Sequence, residues 1–267
     1  MLPPPPPRPR PRQSLSVLVL ALTALLVGCS DAAEEPAEIA SPTAAAPTRP
    51  VGPEDDATEE GDRAAPPPAT SQYFPQGSFV DPGTPPANTP APGPYAHLDP
   101  AHLVPKSLLA RAVLFFDANK AQIKNLKFIT VVDFTPHSGK KRFFVVDMKT
   151  GVVRAQVVAH GKMSDPNWTG YATTFGNVSG SNMSSLGFAL TGDTYYGTHG
   201  RSLRLHGLSP TNSNMYSRAI VIHSATYVVE GQSKQGRSLG CFVLDEDVKD
   251  DIVDLIEGGS LLYADLG

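Results

Sequence analysis

Cysteine is scarce in this chain of 267 residues, which contains only Cys29 and Cys241. Cys29 follows an N-terminal apolar segment, so Cys241 is the only cysteine of the part expected to fold. That part therefore has no cysteine pair from which to form an internal disulfide bond. Cys241 is predicted to be a free thiol, and its role has to be predicted from the residues around it.

The N-terminal apolar run is too short for an ordinary membrane-spanning helix. Residues 15–28 form an apolar segment of 14 residues, whereas a spanning helix needs about 20. A basic segment with Arg8, Arg10 and Arg12 precedes the run, which is typical of an export signal. Cys29 at its end resembles the lipidated cysteine of bacterial lipoproteins and implies a lipid anchor to a membrane. An uncleaved anchor helix or an ordinary secretory peptide is the alternative.

Strong net charge is also missing from the C-terminal part. Residues 99–267 carry seventeen basic and fifteen acidic side chains, which gives no electrostatic reason to expect nucleic-acid binding. Residues 30–97 contain two basic and eleven acidic side chains among many Pro, Ala, Thr and Gly. Such a composition buries too little apolar surface to fold, so a disordered, extended spacer is predicted.

The chain is thus predicted to have three parts: a signal peptide at 1–28, a lipidated cysteine with its spacer at 29–98, and a folded domain at 99–267. Three aromatic residues, Tyr73, Phe74 and Phe79, lie within the spacer. They either dock on the domain surface or form an interaction motif, and both hypotheses are kept.

The folded domain is predicted to contain two helices and many short strands. Apolar spacing predicts a helix from Pro105 to about Asn119, with one face formed by Leu108, Leu109, Ala112, Val113 and Phe116. A second helix is predicted after Asp245, with Gly258 as its C-cap. Strands are predicted at 128–134, 142–148, 154–160, 186–190, 202–205, 219–222 and 260–264. The Ser/Asn/Gly-rich loop 161–185 is expected to border the functional site.

Cys241 and His223 form the candidate catalytic pair. An apolar strand leads to His223, and a Gly/Ser/Gln/Lys-rich loop then leads to the turn Ser238-Leu-Gly-Cys. An imidazole that takes the thiol proton makes cysteine a strong nucleophile. Gly240 allows a tight turn in which backbone amides point at the oxygen of an attacked carbonyl. A buried, inert cysteine is the competing interpretation, which the polar turn disfavours.

Several motifs together resemble the L,D-transpeptidase catalytic domain, also called the YkuD domain, in its murein branch. His-Ser-Ala begins at 223, and Cys241 follows eighteen positions after His223. Further similarity lies in Phe144-Val-Val-Asp-Met-Lys-Thr-Gly, Val158-Ala-His-Gly, Phe175-Gly-Asn-Val-Ser-Gly-Ser, Ser184-Ser-Leu-Gly-Phe and Tyr196-Gly-x-His-Gly-x-Ser-Leu-Arg-Leu. The resemblance covers roughly residue 105 to the end.

This resemblance implies a mainly β, α+β fold of sandwich-like mixed sheets with two flanking helices. It implies that Cys241 attacks a peptidoglycan stem peptide to form a thioester, with His223 as base and no cofactor. It also implies that Ser224 orients the imidazole through its carbonyl or hydroxyl group, and a purely structural serine after the strand is the alternative. Family members often carry His or Trp before the Gly-Cys pair and Arg or Asn two positions after it, where this chain has Leu239 and Val243.

Four further residues are candidate substrate contacts. His206 and Arg204 share one face of a predicted strand and are expected to line the cleft, or else to face solvent. Arg237 is expected to bind a substrate carboxylate, or to point to solvent. Ser238 is expected near the substrate, where it could also brace the turn. No metal site is predicted, because His160, His199, His206 and His223 match no known ligand spacing.

The predicted function is therefore peptidoglycan L,D-transpeptidation in the cell envelope, with stem peptides as substrates and the membrane as an anchor. Hydrolysis of the same thioester would make the protein an L,D-carboxypeptidase. A non-catalytic wall-binding lipoprotein is the rival from another class, and Leu239 and Val243 keep it open.

Overall fold

The computed structural model of the chain describes residues 78–86 and 93–267. The predicted signal peptide at 1–28, the predicted lipidation site Cys29, most of the spacer, and Tyr73 and Phe74 lie outside these residues. Within residues 78–86 and 93–267, no helix combines the length and the apolar character needed to cross a membrane.

A mixed sheet of eight strands forms the centre of the fold, in the order β3-β2-β1-β10-β5-β6-β7-β9. Its neighbours pair antiparallel except for β1 with β10 and β7 with β9, which are parallel. A small parallel sheet pairs β4 with β8. The strands are β1 Phe128–Asp133, β2 Phe143–Asp147, β3 Val153–Gln156, β4 His160–Gly161, β5 Gly187–Gly197, β6 Gly200–Gly207, β7 Val221–Ser224, β8 Arg237–Ser238, β9 Phe242–Leu244 and β10 Leu261–Asp265.

Two helices flank the large sheet, which confirms the predicted mainly β fold class. Helix α1, Lys106–Ala118, covers one face, and all five apolar residues predicted for its buried side are buried. It packs on alternate strand residues that include Ile129, Phe188 and Tyr263. The stacked rings of Phe115, Phe188 and Tyr263 fill this interface, with centroid separations of 3.8 and 4.3 Å.

Helix α2, Glu246–Ile256, covers the opposite face. Asp245 caps its N-terminus by accepting a hydrogen bond from the Asp247 amide at 3.0 Å. Ile252, Val253 and Ile256 turn inward and are buried. The chain leaves the helix through Gly258, whose φ of +76° suits glycine, as predicted for the C-terminal end.

Two predicted strands differ most from the structure, and β8 and β9 were not predicted at all. The predicted strand 154–160 is divided between β3 and β4, because the chain crosses from the large sheet to the small one between them. Strand β5 continues seven residues beyond the predicted end at Leu190, through a polar, glycine-containing segment. The β5–β6 register shifts between Thr191 and Thr194, which marks a β-bulge in the extension.

The segment preceding the predicted domain packs on helix α1. Phe79 stacks on Phe115 with ring centroids 6.2 Å apart, so docking is the correct alternative for Phe79. The Val80 backbone exchanges two hydrogen bonds with the Asn119 side chain, and Asp81 pairs with Arg111 at 2.6 Å. Tyr95 and Leu98 are also buried. Ordered structure thus begins before residue 99, because apolar side chains in the spacer find partners on the domain.

Candidate active site

The candidate nucleophile Cys241 lies in the tight turn that precedes β9. Gly240 has φ +124°, and a Cβ atom there would lie 2.8 Å from the Met183 carbonyl oxygen. Only glycine suits this position, because a side chain would need both a disfavoured backbone conformation and occupied space. Cys241 as a whole is 7% exposed, and its Sγ lies 3.7 Å from the Ala219 carbonyl oxygen.

Ser238 braces this turn from within. Its hydroxyl group donates to the Cys241 carbonyl at 2.8 Å and accepts from the Gly240 amide at 3.1 Å. Since Ser238 is fully buried, the prediction of a substrate contact is wrong and the bracing alternative is correct. The Gly240 amide therefore already has its acceptor within the turn.

His223 lies in β7, the strand that pairs in parallel with β9. Ile222 pairs with Phe242 in this ladder, so Cys241 lies one residue before the first paired residue of β9. Side chains two positions apart share a face of a sheet, so His223 and Cys241 project from the same face on neighbouring strands. The predicted strand that delivers the imidazole beside the cysteine turn is therefore present, although it runs to Ser224 rather than ending before His223.

The backbone of Ser224 fixes the tautomer of the His223 ring. The His223 Nδ1 lies 3.0 Å from the Ser224 carbonyl oxygen. A carbonyl oxygen can only accept, so Nδ1 carries the hydrogen and Nε2 is the basic nitrogen of the neutral ring. Of the two roles predicted for Ser224, the structure shows the contact through the carbonyl group.

A second imidazole covers the first. The rings of His199 and His223 stack with centroids 4.2 Å apart and planes inclined by 29°. His199 lies in the two-residue turn between β5 and β6. His199 belongs to the motif Tyr196-Gly-x-His-Gly, which the sequence analysis noted. Nothing in the local sequence indicated that the tip of the β5–β6 hairpin contacts His223 in β7.

Arg218 ties the loop 161–185 to the cysteine turn. Its guanidinium group donates to the Gly176 and Met183 carbonyl oxygens at 2.8 and 2.7 Å, and to the Ser185 hydroxyl at 2.7 Å. The Met183 carbonyl in turn lies against Gly240. The prediction that this loop borders the site is confirmed, while the role of Arg218 was missed by sequence reasoning.

Arg204 and His206 share one face of β6, as predicted, and the β6–β7 register shows that this face also carries His223. The β6–β7 register pairs Arg204 with Val221, so Arg204 lies in the same row as Cys241, two strands away. The Arg204 guanidinium lies 4.0 Å from the Tyr195 ring centroid, and His206 stacks on Tyr216 at 4.8 Å. Burial lowers the pKa of His206, with Asp193 opposing the shift, so its ring favours the neutral form.

Arg237 does not have its predicted role. Its guanidinium group donates to the Asp165 carbonyl at 2.5 Å and to the Pro166 carbonyl at 3.2 Å, and the side chain is 8% exposed. The prediction of a carboxylate contact, and its alternative of a solvent-facing side chain, are both wrong. The pairing of β8 with β4 turns Arg237 toward the loop, where it holds the backbone in place.

A buried polar network lies behind β8. Arg142 donates to His160 Nδ1 at 2.7 Å, so the hydrogen of the neutral ring lies on Nε2, 3.5 Å from Asp165 Oδ2. Burial lowers the pKa of Arg142 to about 9 and, with Arg142 nearby, that of His160 to about 3. Burial works to raise the pKa of Asp165, but hydrogen bonds from the Thr169 and Gly170 amides outweigh it. His160 is therefore a neutral structural residue at pH 7.

Metal ligation receives no support from the side-chain positions. Across residues 78–86 and 93–267, no three His, Cys, Asp or Glu side chains are grouped so that they could hold an ion. His223 and His199 stack face to face, which directs their rings at one another rather than at a common ligand.

The comparison with protein families decides the identity of this domain. The sequence pattern described as "L,D-transpeptidase catalytic domain" matches residues 101–264, more than half of the chain. The chain belongs to the L,D-transpeptidase catalytic-domain family. A comparison with curated protein sequences gives no match.

Similar solved structures include several members of this family, all at low sequence identity. An L,D-transpeptidase from Mycobacterium smegmatis is 15% identical with a TM-score of 0.34, over 52% of this chain and 58% of that one. The helical cell shape determining protein Pgp2 from Campylobacter jejuni is 12% identical with a TM-score of 0.33, over 54% and 50%. An L,D-transpeptidase from Xylanimonas cellulosilytica is 12% identical with a TM-score of 0.31, over 64% and 78%. The chain thus spans about three fifths of the length of the mycobacterial neighbour.

Proposed function

We propose that this protein is a cysteine-dependent peptidoglycan L,D-transpeptidase. One observation carries the proposal: His223, with Nδ1 held by the Ser224 carbonyl, lies on the strand that pairs in parallel with β9, which begins directly after Cys241. This arrangement leaves Nε2 as the nitrogen that can accept the thiol proton. Membership of the family makes peptidoglycan peptides the substrate class to test.

The first half-reaction would form a thioester. Nε2 of His223 takes the proton from Cys241 Sγ, and the thiolate attacks the carbonyl carbon at the L-centre of the third stem residue. The Cys241 amide stabilises the resulting oxyanion. As the intermediate collapses, the C–N bond breaks and the terminal D-alanine leaves with the proton from His223. The acyl group is then attached to Sγ.

The second half-reaction would transfer the acyl group. An amine from another stem peptide gives its proton to His223 and attacks the thioester carbon, and the Cys241 thiolate leaves and is reprotonated. The product is a cross-link. Attack by water through the same residues would instead release a tripeptide, the carboxypeptidase outcome.

Arg204 and His206 are the proposed substrate contacts. Among the residues that the structure describes, no carboxylate forms an ion pair with Arg204, whose guanidinium faces Tyr195 and, at 6.0 Å, Tyr216. A cation between aromatic rings, on the face that carries the catalytic pair, suits a stem-peptide carboxylate. A strand spacing of about 4.8 Å puts the Arg204 and Cys241 backbones about 10 Å apart, within the span of one bound peptide.

The proposal retains the envelope location predicted from the N-terminus. Cys29 would carry a lipid, and the acidic, proline-rich spacer would let the domain reach the cell wall. Phe79, Val80 and Asp81 dock on α1, which would set the point at which the spacer leaves the domain.

The test uses the full chain in mild detergent with a disaccharide tetrapeptide, followed by mass spectrometry. The wild type is expected to release D-alanine, and Cys241→Ala is expected to fall to the enzyme-free background. Cys29→Ser, a change at the only other cysteine, should retain full turnover. The ratio of cross-linked dimer to tripeptide separates transfer from hydrolysis. If the folded wild-type protein shows neither turnover nor a thioester, the enzyme proposal is wrong and the non-catalytic wall-binding hypothesis is favoured.

A second arm tests the carboxylate contact. Arg204→Gln should raise KM about 10- to 100-fold with a smaller change in kcat, because a hydrogen-bonded charge pair is lost. Arg154→Gln, at an exposed position of β3, is the matched control. Two modified donors, one amidated at the terminal carboxyl group and one at the third-residue carboxyl group, identify the carboxylate that Arg204 binds. Amidation of that carboxylate should weaken substrate binding by the wild type and leave binding by Arg204→Gln unchanged. Equal sensitivity of both proteins to every amidation would contradict the contact.

A further inference from the structure

The tip of the β5–β6 hairpin places an imidazole on the proposed catalytic base. Thr198 and His199 form the turn, and Gly197 and Gly200 close the ladder on either side of it. Gly200 has φ +72°, which permits the tight reversal. The resulting stack with His223 has a centroid separation of 4.2 Å, within the range of direct ring contact.

This contact requires the hairpin to bend. In the β6–β7 ladder Ile222 is level with Leu203, so His223 lies level with Ser202, whereas His199 is three residues further along the hairpin. About 10 Å of strand must therefore fold back over β7. The β-bulge between Thr191 and Thr194 supplies bending and added twist in β5. The bulge and the glycines together direct the tip onto the site.

The stack completes the restraint on the His223 ring. The Ser224 carbonyl holds Nδ1 and so sets which nitrogen is basic, but one hydrogen bond leaves the ring able to tilt. A flat ring against its face removes that freedom. In addition, while the His199 ring is uncharged, its π face attracts the cation that forms when His223 accepts the thiol proton.

We propose that His199 is a positioning residue that holds the His223 ring in plane and stabilises its protonated form, which increases the thiolate fraction of Cys241. The inference rests on the proposed Cys241–His223 pair and requires no particular substrate. It also gives the Tyr196-Gly-x-His-Gly motif a function that neither the fold nor the nucleophile turn explains.

The test measures alkylation of Cys241 by iodoacetamide in the full chain between pH 5 and 9, followed by mass spectrometry of the peptide that contains Cys241. His199→Ala should reduce the rate at pH 7 about tenfold and move the midpoint of its pH profile upward. His199→Phe keeps a flat ring and should retain most of the rate. Tyr196→Ala, at a position 83% exposed on the same hairpin, is the matched control and should behave as the wild type.

Two results would overturn the inference. One is an unchanged rate and midpoint in His199→Ala, and the other is an equal loss in His199→Phe and His199→Ala. Failure of the proposed function gives a different result from both. In that case Cys241 of the wild type is alkylated readily at pH 6, which shows the thiolate, but the protein does not process the tetrapeptide.

Discussion

One face of the large sheet is apolar at one end and polar at the other. Under α1 it carries stacked aromatic rings, among them Phe188 and Tyr263. Leu190 belongs to that cluster, and its partner across the β5–β6 ladder is His206, where the polar end begins. Loops held by arginine side chains, rather than a helix, cover this second end. The apolar end is stabilised by non-directional burial, and the site depends on directional hydrogen bonds.

Removing a ring from the apolar end should give the largest loss of stability. Phe188→Ala is expected to lower the free energy of unfolding by about 3–5 kcal/mol, because it deletes a buried ring and leaves a cavity. Urea denaturation measures this loss. The Cys241 alkylation rate of the folded fraction should stay at the wild-type value.

Tyr196→Ala, an exposed aromatic residue on the same strand, should change stability by less than about 0.5 kcal/mol. A Phe188→Ala protein that kept its stability but lost thiol reactivity would show that the two ends are not separate.

Removing the arginine that holds the loop should affect the site more than the stability. Arg218→Met leaves the Gly176 and Met183 carbonyl groups without their donor, at a cost of about 1–3 kcal/mol. Turnover should fall about 10- to 100-fold, because the turn that carries Cys241 loses its support at Gly240. Turnover and urea denaturation are measured on the same samples.

Arg154→Met removes an exposed arginine from β3 and should match the wild type in both measurements. Unchanged turnover in Arg218→Met would mean that the loop is held by its other contacts.

The buried histidine behind β8, His160, should make stability depend on pH. The folded-state pKa of His160, about 3, lies below the unfolded value near 6.5, so the unfolded chain binds the extra proton. Its contribution is complete above about pH 6.5 and is lost as the pH falls, by up to about 1.4 kcal/mol per pH unit. Urea denaturation between pH 4.5 and 7 measures this slope above the range in which Asp165 titrates.

His160→Asn keeps an acceptor for Arg142 and should flatten the slope. His102→Asn is the control, since His102 is exposed and its φ of +54° suits asparagine. An equal slope in His160→Asn and the wild type would assign the acid sensitivity to other groups.

The elements that the sequence predicted well are those with strong local patterns. The face of α1, the α2 cap at Asp245 and the glycine after it follow from spacing and capping chemistry, which act over a few residues. Residues 191–197 carried no alternating apolar pattern, so the extension of β5 was missed. Phe79 was difficult to assign for another reason. Its acidic, proline-rich surroundings predicted a disordered spacer, whereas its contact with α1 exists only once the helix has folded.

The candidate site divides in the same way. Gly240 and the Cys241–His223 pair could be proposed because a polar Ser-x-Gly-Cys turn and a strand-end histidine carry their chemistry locally. Arg218, Arg237 and His199 could not be assigned, because their partners lie in other segments. Arg237 was predicted to contact substrate and instead binds the Asp165 and Pro166 carbonyl groups. An arginine beside a nucleophile looks the same in sequence whether it binds substrate or backbone.

The sequence by itself determined the helices, most of the strands, and the candidate nucleophile with its candidate base, since periodicity and turn chemistry act between near neighbours. Only the tertiary structure decided that β10 lies between β1 and β5, that Arg218 supports the cysteine turn, and that His199 covers His223. These contacts join residues far apart in the chain, and their energies depend on distances and angles that exist only after the sheet has formed.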